Sequence, residues 1–195
     1  SGHIHLSLRH QDSDSSAFFD ADKALTMSDA QRYFIGGQQR LMPELLAMVA
    51  STVNAYTRLV PGFWAPTHAT WGCENRTTAL RVIPGSDASQ RVEYRVGPAD
   101  ANPYLAMAAT LACGLLGIRE RLAPDAPVTG SAKELGYDLP RSLGEALDGL
   151  ERCSELQALL GERFCRAYIS VKRKEYETFF RVISSWEREF LLLNV

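Results

Sequence analysis

The chain opens on strict alternation: His3, His5 and Ser7 interleave with Ile4, Leu6 and Leu8. A period of two predicts a half-buried strand over residues 1–8, with both histidines on one face. Polar residues 9–20 then read as a loop. Ser28 is suited to cap a helical stretch over 29–56. Gly36, Gly37 and Pro43 lie inside that stretch, so it is expected as two helices or a kinked one. Pro61-Gly62 and Ala65-Pro66 mark a loop. Two further strands are expected over 76–83 and 91–96, joined by the turn PGSDAS at 84–89 as a hairpin.

Asn102-Pro103 supplies a cap and a first helical position, opening a helix to about residue 122. Residues 123–141 hold Pro124, Pro127, Gly130, Gly136 and Pro140 and predict a long irregular connection. Ser142 with Glu145, and Ser154 with Gln157, have capping-box spacing. A last helix is expected over 162–192. Its Tyr168, Val171, Tyr176, Phe179, Ile183, Trp186 and Phe190 recur at helical spacing and are assigned to core or interface. The expected class is α+β, antiparallel strands packed with several helices. One domain covers 1–195: strands and helices that bear the candidate site over 1–122, the connection over 123–141, and C-terminal helices over 142–195.

Composition narrows the function. Of 195 residues, 46% are hydrophobic and the formal net charge is −2, so the chain can bury a core and shows no basic surplus for a nucleic-acid partner. Cys73, Cys113, Cys153 and Cys165 form no CxxC pair and are expected as reduced thiols. The uncharged apolar run over 105–118 is too short to span a bilayer. With no charged-then-apolar leader visible, the expectation is a soluble, cytoplasmic protein without a membrane partner.

Some positions carry possible chemistry. His3 and His5 stand about 7 Å apart on one strand face, a spacing open to metal or phosphate and equally to two surface histidines. Glu93 and Arg95 share a face of the strand over 91–96. A solvated strand with an exposed ion pair fits them, and so does a metal carboxylate beside an anion-binding guanidinium. Arg58, Arg76, Arg81 and Arg95 lie in or beside apolar and β-branched segments, while Glu74 is the single acidic residue between Ala55 and Val82. That scarcity favours anionic ligands as their partners, because a buried unpaired guanidinium is costly.

Taken in order, these segments resemble one family. SGHIHLSL, NAYTRLVPGFWAP, NRTTALRV and RVEYRVGPADANPYLAMAA are similar to the histidine strand, the substrate loop and flap, the arginine-bearing phosphate segment, and the carboxylate strand with its following helix in the catalytic domain of glutamine synthetases. The likeness covers 1–118, and SSWEREF in the last helix is also similar. It implies the C-terminal portion of the glutamine synthetase/guanidino kinase-like catalytic domain. It also implies an ATP-dependent carboxylate–amine ligase working through an acyl phosphate, with Mg²⁺ or Mn²⁺.

Carried over by position, His3 and Glu93 are expected to ligate one metal and His5 to contact the nucleotide phosphates. Arg76 and Arg81 are expected to hold phosphate oxygens in catalysis. Arg58 and Arg95 are expected to grip the carboxylates of glutamate or a similar substrate. The implied parent enzyme is a homo-oligomeric ring.

The sequence departs from the family pattern in three places. The family's other metal carboxylates and its small N-terminal β domain lie upstream of the histidine strand, so negligible activity is expected of this chain alone. The flap of glutamine-forming members reads P-G-Y-E-A-P, whereas Trp64 stands at the glutamate position here. An indole cannot deprotonate ammonium, but it can hold a larger amine by cation–π contact. That likens the chain to gamma-glutamylpolyamine synthetase-like members. Thr57 stands where many members have a basic residue. The alternative is a non-catalytic truncated paralogue with a binding or assembly role.

Overall fold

The computed structural model describes residues 2–194. Ser1, the first residue of the expected opening strand, and Val195, the last of the C-terminal segment, lie outside the described residues. Four short strands form one sheet: β1 Ile4–Leu6, β2 Trp71–Cys73, β3 Leu80–Ile83 and β4 Arg91–Tyr94. Their order is β1-β4-β3-β2. β4 runs antiparallel to both β1 and β3, and the turn expected over 84–89 joins β3 to β4. β2 runs parallel to β3, so the sheet is mixed rather than antiparallel.

The parallel pair arises because residues 74–79 loop back along β2. Glu74 adopts a left-handed φ of 50°. The Asn75 Oδ1 accepts hydrogen bonds from the Thr77 N–H at 3.0 Å and its hydroxyl at 2.6 Å. An asparagine bonded to the backbone two residues on makes a turn in place of a ladder. For that reason the strand expected from residue 76 begins only at Leu80.

Among the described residues there are seven α-helices: α1 Asp29–Arg40, α2 Met42–Val49, α3 Pro103–Glu120, α4 Leu143–Arg152, α5 Ser154–Leu160, α6 Glu162–Phe179 and α7 Ser185–Phe190. The stretch expected over 29–56 thus divides into α1, α2 and a 3₁₀ segment at Val53–Arg58. The division falls at Leu41, ahead of Pro43 in the first turn of α2, where a missing N–H costs nothing. Gly36 and Gly37 break nothing. Both lie inside α1, Gly36 against the Leu122–Pro124 backbone and Gly37 against α3, where a Cβ on Gly37 would stand 2.1 Å from the Cys113 carbonyl oxygen and 2.6 Å from Gly117 Cα. The backbones of α1 and α3 therefore touch directly.

The caps expected at Ser28, Asn102 and Ser142 are present, each side chain accepting backbone N–H groups. Ser154 is the first residue of α5 and caps nothing. α3 contains the apolar run but does not bury it all round. Ala106, Ala109, Cys113 and Leu116 are buried, while Met107 and Leu115 are close to half exposed.

The core lies between the apolar sheet face and α1–α4. It is built from Phe34, Ile35, Leu45, Leu46, Leu80, Val82, Val92, Tyr94, Leu147 and Leu150. Beyond it the last expected helix is two helices, separated at 180–184 and restarted by a capping box of Ser184 and Glu187. Cys165, Tyr168 and Ile169 are buried in α6, and the Tyr168 hydroxyl donates to the Ala47 carbonyl at 2.8 Å. Val171, Phe179, Ile183, Trp186 and Phe190 are more than half exposed, so they are not core in this chain. No helix among the described residues is long and apolar enough to cross a membrane.

Candidate functional site

Strand register builds the site. Ile4, Tyr94, Leu80 and Trp71 form one cross-strand row; Leu6, Val92, Val82 and Cys73 form another. Between them runs His5, Glu93, Arg81 and Gly72. Because side chains alternate across a pleated sheet, the two apolar rows face the helices and the polar row faces away. His3 and Arg95 extend the polar face by two residues on their strands.

Glu93 is the hub. Its side chain is 4% exposed. Its Oε1 accepts from Arg95 at 2.8 Å and lies 2.8 Å from His3 Nδ1 and 3.7 Å from His5 Nε2. Its Oε2 accepts from Arg81 at 3.3 Å. Arg95 is 8% exposed, so this is no solvated strand with a surface ion pair. Arg81 also pairs with Glu74, and Arg91 donates to His5 Nδ1 at 3.3 Å. The expected shortage of acidic partners is thereby corrected: Glu93 and Glu74 neutralise the guanidiniums that sheet packing gathers.

These contacts set the ionisation. Burial alone would raise the Glu93 carboxyl, but Arg95, His3 and Arg81 outweigh it and hold it below its usual range. Burial and the nearby Arg95 guanidinium lower His3, overcoming the opposite pull of Glu93. Neutral His3 can then donate from Nδ1 to the carboxylate and leave Nε2 as the ligand atom.

Beside the hub opens a cleft of about 500 Å³ lined by His3, Arg58, Phe63, Trp64 and Arg95 among others. Arg58 leaves the 3₁₀ segment after α2 and donates to the Val96 and Gly97 carbonyls at 3.0 and 2.8 Å. Phe63 and Trp64 form the outer wall and are 66% and 77% exposed. The cleft lining includes two guanidiniums and no carboxylate, which suits an anionic ligand.

The structure therefore groups His3, His5, Glu93, Arg81 and Arg95, and places Arg58 and Trp64 across the adjoining cleft. Arg76 does not join them. It is exposed on the 74–79 turn rather than on a strand. Two participants had no visible sequence signal. Glu74 pairs with Arg81 because its left-handed backbone turns the chain back, and Lys133 reaches the flap from the irregular connection, its Nζ 4.1 Å from the Trp64 ring centroid.

The metal fit is limited. Among the described residues no group of three or more His, Cys, Asp or Glu is arranged to hold a metal ion. His3 Nε2 and the Glu93 carboxylate are the two donor groups on offer, and the 2.8 Å contact between the residues, His3 Nδ1 to Glu93 Oε1, is the hydrogen bond that orients the ring. A two-metal centre does not fit the described residues of this chain by themselves.

Comparison with known proteins agrees with the family resemblance. The chain is 40% identical to type-1 glutamine synthetase 2 of Dictyostelium discoideum, over 97% of this chain and 37% of that protein. It is 38% identical to gamma-glutamylputrescine synthetase PuuA of Escherichia coli K12, over 98% of this chain and 40% of that protein. It is 39% identical to the glutamine synthetase of Pyrococcus abyssi, over 94% and 42%. The chain thus spans about two fifths of the length of these curated relatives. With the glutamine synthetase catalytic-domain model matching residues 1–191, the chain belongs to that family.

Proposed function

We propose that this chain is the C-terminal part of an ATP-dependent ligase that joins glutamate, or a similar carboxylate, to an amine. The observation that carries the reading is the in-register row His5–Glu93–Arg81, flanked by His3 and Arg95, beside a cleft walled by Arg58 and Trp64. Such a ligase activates its carboxylate by attack on the terminal phosphate of ATP, giving an acyl phosphate that the amine then opens. Little covalent work falls to the protein. It neutralises charge and fixes orientation.

Arg81, with His5, would meet phosphate oxygens. Arg76, exposed on the neighbouring turn, would be the further phosphate contact. Arg58 and Arg95 would hold carboxylates, which planar guanidiniums bind in bidentate fashion. His3 and Glu93 would contribute to one Mg²⁺ or Mn²⁺ site, with the remaining ligands supplied from outside this chain's described residues. The bound metal would neutralise phosphate charge. Trp64, an aromatic where a flap carboxylate would serve ammonium, favours an organic amine over ammonia. A guanidino kinase-like architecture, a cytoplasmic location and a ring of subunits belong to the same proposal. The exposed apolar residues along α6 and α7 support assembly, since large bare apolar patches mark interaction surfaces.

A second reading has one observation in its favour: Glu93 is already paired on both oxygens, as it would be in a purely structural charge cluster of a non-catalytic paralogue. Mn²⁺ titration followed by electron paramagnetic resonance separates the two. The half-site reading expects weak binding of one ion, abolished in His3→Ala and Glu93→Ala, with no amide formed from ATP, glutamate and amine by the chain alone. Binding indifferent to both substitutions would remove the site reading. Amide formation by the chain alone would remove the half-site reading.

A further inference from the structure

Lys133 touches the flap twice. Its carbonyl accepts the Gly62 N–H at 3.0 Å, and its ammonium lies over Trp64 at 4.1 Å from the ring centroid. The connection that presents it is firmly anchored. Ala132 is buried and donates to the Thr77 hydroxyl at 2.9 Å, while Asn75 donates to the Val128 and Gly130 carbonyls at 3.0 and 2.8 Å. Lys133 is thus held at the flap by backbone contacts, and only its side chain is free to leave the ring.

The cleft behind Trp64 is lined by Arg58 and Arg95 and by no carboxylate. A cation arriving there finds no carboxylate in the lining, and the Phe63 and Trp64 faces are the groups there that attract it. The indole face is the best of these for an ammonium, and it already carries one on a four-carbon stem. From this geometry we infer that Lys133 is a tethered occupant of an alkylammonium site on Trp64, competing with incoming primary amines and diamines and so setting their affinity. This rests on the acceptor role proposed for Trp64. It goes further in naming the ligand class and the residue that regulates access.

The chain is titrated with 1,4-diaminobutane, and with uncharged 1,4-butanediol as control. The Trp64 indole N–H and the Lys133 ε-methylene protons are followed by NMR. The ε-methylene protons are expected upfield through the ring current and to return downfield as diamine binds. Lys133→Met keeps the stem and removes the charge. It should tighten diamine binding about two- to fivefold, the range of an exposed cation–π contact, with no gain for the diol. Trp64→Leu in that background should abolish the gain. If diamine binding needs Trp64 but is unchanged by Lys133→Met, Lys133 is no competitor and the inference falls while the acceptor reading stands. If diamine binding is absent or indifferent to Trp64 in both backgrounds, the acceptor reading falls and the inference with it.

Discussion

Glu93 and Arg95, two residues apart on one face of β4 and its continuation, form a 2.8 Å ion pair with less than a tenth of either side chain exposed. The sheet imposes this burial. Alternation places both on one face, and His3, His5 and Arg81 close over them from the neighbouring strands. A charge so enclosed is stable only while its partners remain.

Removing the hub should therefore be costly. Glu93→Ala leaves Arg95 buried and Arg81 half-paired, and a loss of roughly 3–5 kcal/mol is expected. Glu93→Gln should lose less, because the amide oxygen still accepts. Adding Arg95→Met to Glu93→Met should recover much of the loss, since the orphaned charge leaves with it. Urea unfolding of wild type and these four variants measures this. Equal stability of Glu93→Ala and wild type would show that the pair does not hold the face together.

Acid should weaken the fold through the same cluster. His3 sits below its ordinary value of 6.5 because of burial and Arg95. Glu93 sits below 4.5 because its cationic partners outweigh burial. In both cases the unfolded chain binds more protons, so stability rises with pH across each window. On acidification His3 begins to favour unfolding at about pH 6.5. The contribution of Glu93, complete above about pH 4.5, is lost as pH falls through its lowered folded value. Denaturation midpoints for wild type and His3→Gln should diverge from pH 6.5 downward, with wild type losing more. A constant gap between the two proteins from pH 8 to 5 would contradict the lowered His3.

What could be read in advance followed from periodicity and capping chemistry. The His3–His5 face, the β3–β4 hairpin and the helices capped by Ser28, Asn102 and Ser142 depend on local patterns alone. Burial of Glu93 does not, because R-V-E-Y-R alternates identically on a wet strand and on a covered one. β2 is three residues long, too short to carry a period, so its parallel pairing and the exposure of Arg76 on the turn beside it were invisible. Lys133 lies in a segment rich in proline and glycine, where spacing predicts no direction for a side chain. In the last helix, spacing defined an apolar stripe but could not say whether this chain covers it.

The α1–α3 crossing gives a sharper steric expectation. In an ordinary helix interior Gly→Ala gains about 1 kcal/mol in helix propensity. At Gly37 the new methyl would meet the Cys113 carbonyl and Gly117 backbone, neither of which can turn aside. Overpacking of this kind costs about 1–3 kcal/mol and often more, so Gly37→Ala should lower the melting temperature by several degrees. An unchanged or raised melting temperature would mean that the two helices stand further apart.

Shortening the chain tests the opposite case, a segment that contributes apolar surface without burial. Phe180, Val182, Ile183, Trp186, Leu192 and Leu193 are all more than half exposed, and none of the described residues beyond Ile169 is buried. The strongest tie across the cut is the edge-to-face pair of Tyr176 with Phe180, centroids 4.8 Å apart, worth about 0.5–1.5 kcal/mol. Ending the chain at Phe179 should therefore cost no more than about 1.5 kcal/mol and leave the melting temperature within a few degrees. Bare apolar surface also promotes association, so the shortened chain should show less concentration-dependent self-association in sedimentation. A collapse in stability would mean that α7 is packed where it now stands exposed. Unchanged association would place the sticky surface elsewhere, on the exposed side of α3 that carries Tyr104, Met107 and Leu115.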